Sequence, residues 1–236
     1  MTRAAGTSLS DWALRQPAEV VPCAERVEVE APAWRERAYA IAKRVMDVTL
    51  AVLLLILTAP IMLCAAIAIR CTSKGPILFR QARAGLHGRP FTMYKFRSMI
   101  DGAEEWRPHM SFLNEVAGPV FKLRHDPRLT SVGRWLRRTS IDELPQLFNV
   151  LRGEMSLVGP RPLPLSEVKT GSPQECRRLD VLPGLTCLWQ VSGRCEIPYD
   201  EWMQLDLLYI ENRSLLLDLQ ILLRTIPAVL SCRGAY

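Results

Sequence analysis

Asp142 and Glu143 are adjacent carboxylates, and such a pair can divide a group transfer, one attacking while the other holds a metal ion. Neighbouring residues on a helix point about 100° apart, so the two are poorly arranged to chelate one ion symmetrically. Helix capping accounts for the same residues. Ser140 and Glu143 have the S-x-x-E spacing of a capping box, and carboxylates at a helix start complement its dipole. Both readings stand on spacing alone. Just upstream lie Lys122, Arg124, Arg128, Arg134, Arg137 and Arg138, against a single Asp126. Guanidinium clusters suit bidentate binding of phosphate oxygens, and a solvated or lipid-headgroup face is the plainer account. Downstream, Gly159-Pro160-Arg161-Pro162 presents one arginine from a backbone stiffened by two prolines.

These residues need elements to position them. Thr139 to Glu143 opens an expected helix with apolar Leu144, Leu147, Phe148 and Leu151 at helical spacing, ended by Gly153. Ser214 to Leu230 carries a leucine-rich stripe that suits a core helix or a membrane interface. The remainder beyond Thr72 reads as short helices joined by Pro/Gly-rich loops.

Val48 to Ile69 is a run of 22 residues without a formal charge. A straight helix of that length could just cross a bilayer core of about 30 Å. Lys43 and Arg44 flank one end, and Arg70 and Lys74 the other, without the charge asymmetry that usually orients a spanning helix. Pro60 lies near the middle and removes a backbone donor, with Thr58 placed to satisfy a freed carbonyl. A helix that enters, bends and returns to the same face fits these features; prolines also occur in true spans. Asp47 is expected to pair with Lys43 or Arg44.

The net charge of +6 points to anionic partners, whether headgroups, phosphorylated substrates or nucleic acid. Seven cysteines without paired spacing read as reduced thiols, and dispersed histidines argue against structural zinc.

The run RRTSIDELPQLFNVLRGEMSLVGPRP (137–162) closely resembles the signature of bacterial polyprenyl-phosphate phosphoglycosyl transferases, the bacterial sugar transferase family. Flanking blocks agree in order: KRVMDV (43–48), ILFRQARAGLHGRPFTMYKFRSM (77–99), GPVFKLRHDPRLTSVGRWLRR (118–138), LPGLTCLWQVSGR (182–194) and YIENRSLLLDLQILLRTIPAVL (209–230). The resemblance implies transfer of a sugar-1-phosphate from a UDP-sugar to polyprenyl (undecaprenyl) phosphate, with release of UMP. It implies Asp142 as nucleophile, Glu143 as a Mg²⁺ ligand, and a re-entrant membrane helix broken at Pro60. Arg137, Arg161 and Arg194 are expected to neutralise phosphate, and Lys95 and Asp206 to organise phosphate, metal or substrate. At a helix start Asp142 is expected to keep a low pKa. Three residues depart from the family's habit: Ala59 where Ser is common, Leu182 where a cation precedes Pro-Gly, and Cys187 where Gly is usual.

The expected fold is mainly α with minor β. A loosely ordered tail (1–36) leads into a re-entrant helix–break–helix (37–74). A compact membrane-associated catalytic domain (75–236) with amphipathic interfacial helices follows. The expected place is the cytosolic face of a bacterial inner membrane, with UDP-sugar, polyprenyl phosphate and membrane lipid as partners and no nucleic acid. The alternatives are a membrane-tethered glycosyltransferase releasing UDP and a membrane-anchored basic nucleic-acid binder. Neither the sugar nor the oligomeric state is legible.

Overall fold

The computed structural model describes residues 33–115, 121, 123, 125–168, 173–193 and 197–232. Most of the expected tail, up to residue 32, lies outside the described residues. From Ala33 the chain is helical. The stretch from Arg35 to Arg44 is part of the same helix as the apolar run.

Helix α1 (Ala33–Thr72) has 40 residues, about 60 Å if straight and twice a bilayer core. It is the one helix among the described residues long and apolar enough to cross a membrane. The helical assignment continues through Pro60; any change of direction there is carried within a continuous helix. Thr58 Oγ1 donates back to Leu54 O at 2.7 Å, one turn earlier.

The start of the apolar run is bolted down by polar contacts. Lys43 lies 3.0 Å from Asp218 and 3.8 Å from Asp47, which keeps Asp47 paired as expected. Asp47 Oδ1 accepts from Leu157 N at 3.2 Å, and Tyr39 and Tyr209 both donate to Asp218, at 3.0 and 2.7 Å. Arg44 donates to the carbonyls of Val150 and Leu151 at 2.6 and 2.7 Å, satisfying acceptors that a helix C-terminus leaves open. The far end of the run packs on the same body. Ala65 and Ile69 sit against Phe96 and Leu136, and Arg97 donates to Ser73 O at 3.0 Å.

That body is built from small pieces. Strands β1 (Leu78–Ala84) and β2 (Pro90–Phe96) form an antiparallel hairpin that pairs Leu78 with Phe96 and Ala84 with Pro90. Helices α2 (Ser131–Arg138) and α3 (Gln146–Arg152) flank the carboxylate pair. Strands β3 (Ser156–Val158) and β4 (Gly184–Thr186) pair in parallel, with α4 (Pro173–Arg178) between them. Helices α5 (Leu188–Ser192), α6 (Tyr199–Asn212) and α7 (Leu215–Leu230) complete the chain. Mainly α with minor β is what the structure has. Leu147, Val150, Met155, Leu157 and Val158 join Ala51 of α1 and Ile221 of α7 in the main core.

On α7 the Ser214 hydroxyl accepts from Leu217 N at 3.2 Å. Asp218 and Ile221 face inward while Leu215, Leu216, Leu219, Leu223, Ile226 and Leu230 are exposed. Most of the leucine stripe is therefore outside the core, with Leu217 and Leu222 packed against it and the carboxylate inside. One cysteine expectation is corrected: Cys64, Cys71, Cys187 and Cys232 are free, but Cys176 is disulfide-bonded.

Candidate active site

The carboxylate pair does not open a regular helix. Thr130 caps α2, its Oγ1 accepting from Gly133 N at 2.9 Å, and α2 ends at Arg138. Ser140 then adopts a left-handed conformation (φ 57°, ψ 15°), and Ile141–Glu143 forms a single 3₁₀ turn before Pro145 and α3. A non-glycine residue at that φ is uncommon, and such local strain collects at functional sites. The expected capping box is absent: the Ser140 side chain makes no cap hydrogen bond. Gly153 does end α3, at φ 80°.

Glu143 turns instead toward cations from distant segments. Lys95 Nζ donates to its Oε1 at 3.0 Å. Arg161 grips both oxygens, through Nη1 to Oε2 at 3.3 Å and through Nη2 to Oε1. The hairpin explains Lys95. Residues alternate between faces of a strand, and Phe91 and Met93 of β2 are buried in the core. Lys95 shares their face, so its stem runs inward and its ammonium meets the turn. Arg161 arrives from the loop after β3.

Asp142 is only 6% exposed. Burial pushes its carboxyl up to about 6, helped by the Glu143 charge and opposed by Lys95, Arg137 and Arg161. This corrects the low pKa expected of a helix start: the 3₁₀ turn brings burial, and desolvation outweighs the cations. Glu143 goes the other way, held well below the ordinary carboxylate range by Arg161 and Lys95 against its own burial. Among the described residues the site thus pairs a carboxylate held in a cation fork with one that feels the same cations only at longer range.

The upstream basic residues scatter. Arg128 is consumed by Asp126, with Nη2 to Oδ2 at 2.6 Å in a buried pair. Arg134 and Arg138 are exposed. Among the described ones, Arg137 turns to the dyad, with Asp142 its strongest favourable charge, and its Nε donates to Ser98 Oγ at 2.9 Å. Lys122, Arg124 and Arg194 lie outside the described residues. Asp206 stands apart from the dyad, buried on α6 against Arg178 at 2.8 Å.

Sequence reasoning missed two arginines. Arg83 pairs across the hairpin with Phe91 and so shares the face of Lys95. Burial and the neighbouring Arg161 pull its guanidinium down to about 10, with Glu167 and Glu143 opposing. Its cross-strand register was the available signal. Arg178, the last residue of a short helix, carried none. Both arginines adjoin the 159–163 loop, and Arg161 and Arg178 line a cleft with Gly85, Pro160 and Leu179.

Magnesium can be weighed against these atoms. Among the described residues no cluster of three metal-ligating side chains exists, so an all-protein cage is excluded for them. Magnesium commonly takes one or two carboxylates and completes its shell with substrate phosphates and water. The lightly engaged Oε2 of Glu143 fits that mode.

A buried carboxylate thus stands beside one held by two cations, in a body packed against a long apolar helix. The bacterial sugar transferase family matches residues 38–232, and the chain belongs to that family. It is 46% identical over 202 residues to the UDP-glucose:undecaprenyl-phosphate glucose-1-phosphate transferase of Caulobacter vibrioides, covering 82% of this chain and 72% of that one. It is 44% identical over 196 residues to the galactosyl transferase CpsE of Streptococcus agalactiae, covering 83% of this chain and 43% of the other. With the exopolysaccharide production protein ExoY of Sinorhizobium fredii it shares 40% over 200 residues, covering 83% and 88%. The chain thus spans under half the length of CpsE and most of ExoY.

Proposed function

We propose that this chain transfers a sugar-1-phosphate from a UDP-sugar to undecaprenyl phosphate at the cytosolic face of a bacterial inner membrane, an early step of surface glycan assembly. The observation that carries the proposal is the split between Asp142, buried and held by no cation fork among the described residues, and Glu143, gripped by Lys95 and Arg161. The name of the Caulobacter relative, a UDP-glucose:undecaprenyl-phosphate glucose-1-phosphate transferase, favours the same chemistry.

An ionised Asp142 oxygen attacks the phosphorus that bears the sugar. The bond from that phosphorus to the bridging oxygen breaks, and UMP leaves with the electron pair, giving a phosphosugar–aspartyl ester. An oxygen of the lipid phosphate then attacks the same phosphorus, the Asp142–phosphorus bond breaks, and the carboxylate returns. Two displacements spare the protein from holding both bulky substrates at once. Lys95, Arg137 and Arg161 hold the diphosphate and offset charge spread over its oxygens, the main demand of phosphoryl transfer. Mg²⁺, held by Glu143, would supply further charge neutralisation at the phosphates. Product identity tests the reading. Purified protein with UDP-glucose or UDP-galactose and undecaprenyl phosphate is expected to release UMP one-for-one with lipid product. Release of UDP means transfer of the sugar alone and refutes the proposal.

A re-entrant placement of α1 is part of the same proposal. Lys43, Arg44 and Asp47 before the apolar run and Ser73 after it all bond to one globular body. A bilayer lying between those two ends would have to pass through that body. Between them Val52, Leu53, Ile56, Leu57, Ile61 and Leu63 are exposed. Burying each such side chain is worth about 1.5–3 kcal/mol, together on the scale of the ~5–15 kcal/mol that stabilises a whole domain. Lipid around the helix tip removes that cost, and the outward leucines of α7 would lie in the same interface. Single cysteines at Ala40 and Lys74, in a background with the exposed native thiols replaced, should label with a membrane-impermeant maleimide only in inside-out vesicles. Labelling of the two from opposite sides establishes a crossing helix.

A further inference from the structure

Four successive carbonyls of the Arg161 loop are each held. Pro160 O accepts from Gly184 N at 2.9 Å and Leu163 O from Ala84 N at 3.0 Å. Between them, Arg161 O accepts from Arg178 Nη2 and Pro162 O from Arg83 Nη1, each at 2.9 Å. Backbone partners come with the strand pairing around them. The guanidinium partners do not: Arg178 is a buried charge and Arg83 a half-buried one, and their desolvation must be offset.

Arg178 is itself oriented. Its Nε donates to Asp206 Oδ2 at 2.9 Å, and Asp206 is 1% exposed with Oδ1 lacking a hydrogen-bond partner among the described residues. An apolar pair in this place would usually be as stable or more so, and an unmet buried acceptor adds a further cost. Stability is therefore a poor account of the pair. What it does geometrically is fix the backbone of Arg161, whose side chain at the other end forks onto Glu143.

We propose that Arg178, oriented by Asp206, is a positioning residue for Arg161: it holds the residue by its carbonyl so that the guanidinium meets Glu143 in fork geometry. Neither Arg178 nor Asp206 contributes a hydrogen bond to the dyad, so both act through Arg161. Asp206 thereby becomes part of the scaffold rather than a substrate ligand. The proposal rests on Arg161 serving the transfer described above.

A kinetic cycle tests it. Arg178→Lys keeps a buried cation but loses the two-pronged reach to Asp206 and Arg161 O, and should lower kcat on the order of a hundredfold, as expected for small displacements of a positioned group. Adding Arg178→Lys to Arg161→Ala should cost no more than about threefold further, because the group being positioned is gone. Full additivity, or wild-type kcat in Arg178→Lys, overturns the proposal. Hydrogen exchange supplies a readout independent of the nucleotide product. Amides across 156–163 should exchange faster in Arg178→Lys and in Asp206→Asn, while those of α1 and the β1–β2 hairpin keep their wild-type rates. Faster exchange throughout the chain means a general structural role and also overturns it. Asp206→Asn, nearly isosteric, serves if Arg178→Lys does not fold. Release of UDP by the wild type refutes the sugar-phosphate reading alone; the exchange result still decides the positioning claim.

Discussion

Asp142→Asn is expected to abolish UMP release, by at least about a thousandfold in kcat, while making the folded protein more stable at neutral pH. Both effects come from one physical cause. Burial raises the Asp142 carboxyl to about 6, so the folded chain holds that proton more tightly than the unfolded chain does. Below about pH 4 the group is protonated in both states and burial carries no charge penalty. As pH rises the unfolded chain ionises first and stability falls; above pH 6 both are ionised and the folded state bears the full cost, on the order of 3 kcal/mol. Asparagine escapes this. The melting temperature of Asp142→Asn should exceed that of the wild type at pH 7.5 and converge with it toward pH 4. A variant less stable than wild type at pH 7.5 contradicts the picture of a desolvated carboxylate. Wild-type kcat should rise about tenfold per pH unit below 6 and level off above it, since only the ionised form attacks.

That behaviour was only half visible in the chain. The apolar run from Val48 to Ile69 was legible because twenty-two uncharged residues are a one-dimensional signal, and the helix did follow. Gly153 was legible for the same reason: a left-handed helix end needs a residue without Cβ. Ser140-x-x-Glu143 misled because its local rule was overruled from afar. Lys95 and Arg161 lie 48 and 18 positions from Glu143, and a carboxylate offered two buried cations has no reason to turn back to its own backbone. The pKa of Asp142 went wrong with it, since a helix dipole was assumed where the chain makes a single turn. Family blocks marked Lys95, Arg137 and Arg161 as residues to watch; only the hairpin register and the loop after β3 explain why they face the dyad. Arg83 needed the pairing with Phe91, and Arg178 the buried partner on α6. Neither is written in local spacing.

Glu143→Gln should behave opposite to Asp142→Asn on stability and alike on activity. Glu143 is held below the ordinary carboxylate range by Arg161 and Lys95, so its charge stabilises the fold at every pH above about 4.5, and that contribution is lost only as acid reaches its lowered folded pKa. Glutamine leaves two largely buried cations, with side chains 16% and 22% exposed, without their counter-charge. Breaking a buried pair from one side costs about 3–5 kcal/mol, so a large drop in melting temperature at pH 7.5 is expected. Stability and chemistry must then be separated, because a half-unfolded enzyme is also inactive. Adding Lys95→Met to Glu143→Gln removes one stranded cation and should recover part of the stability. Turnover should not return, since the diphosphate has lost Lys95 and any metal its carboxylate oxygen. A double variant that regains both would make Glu143 a structural counter-ion only. Titrating Mg²⁺ against residual turnover divides the remaining possibilities: a raised requirement in Glu143→Gln ties the carboxylate to the metal, and an unchanged one removes it from the metal site while leaving its grip on Arg161 as its part in the transfer.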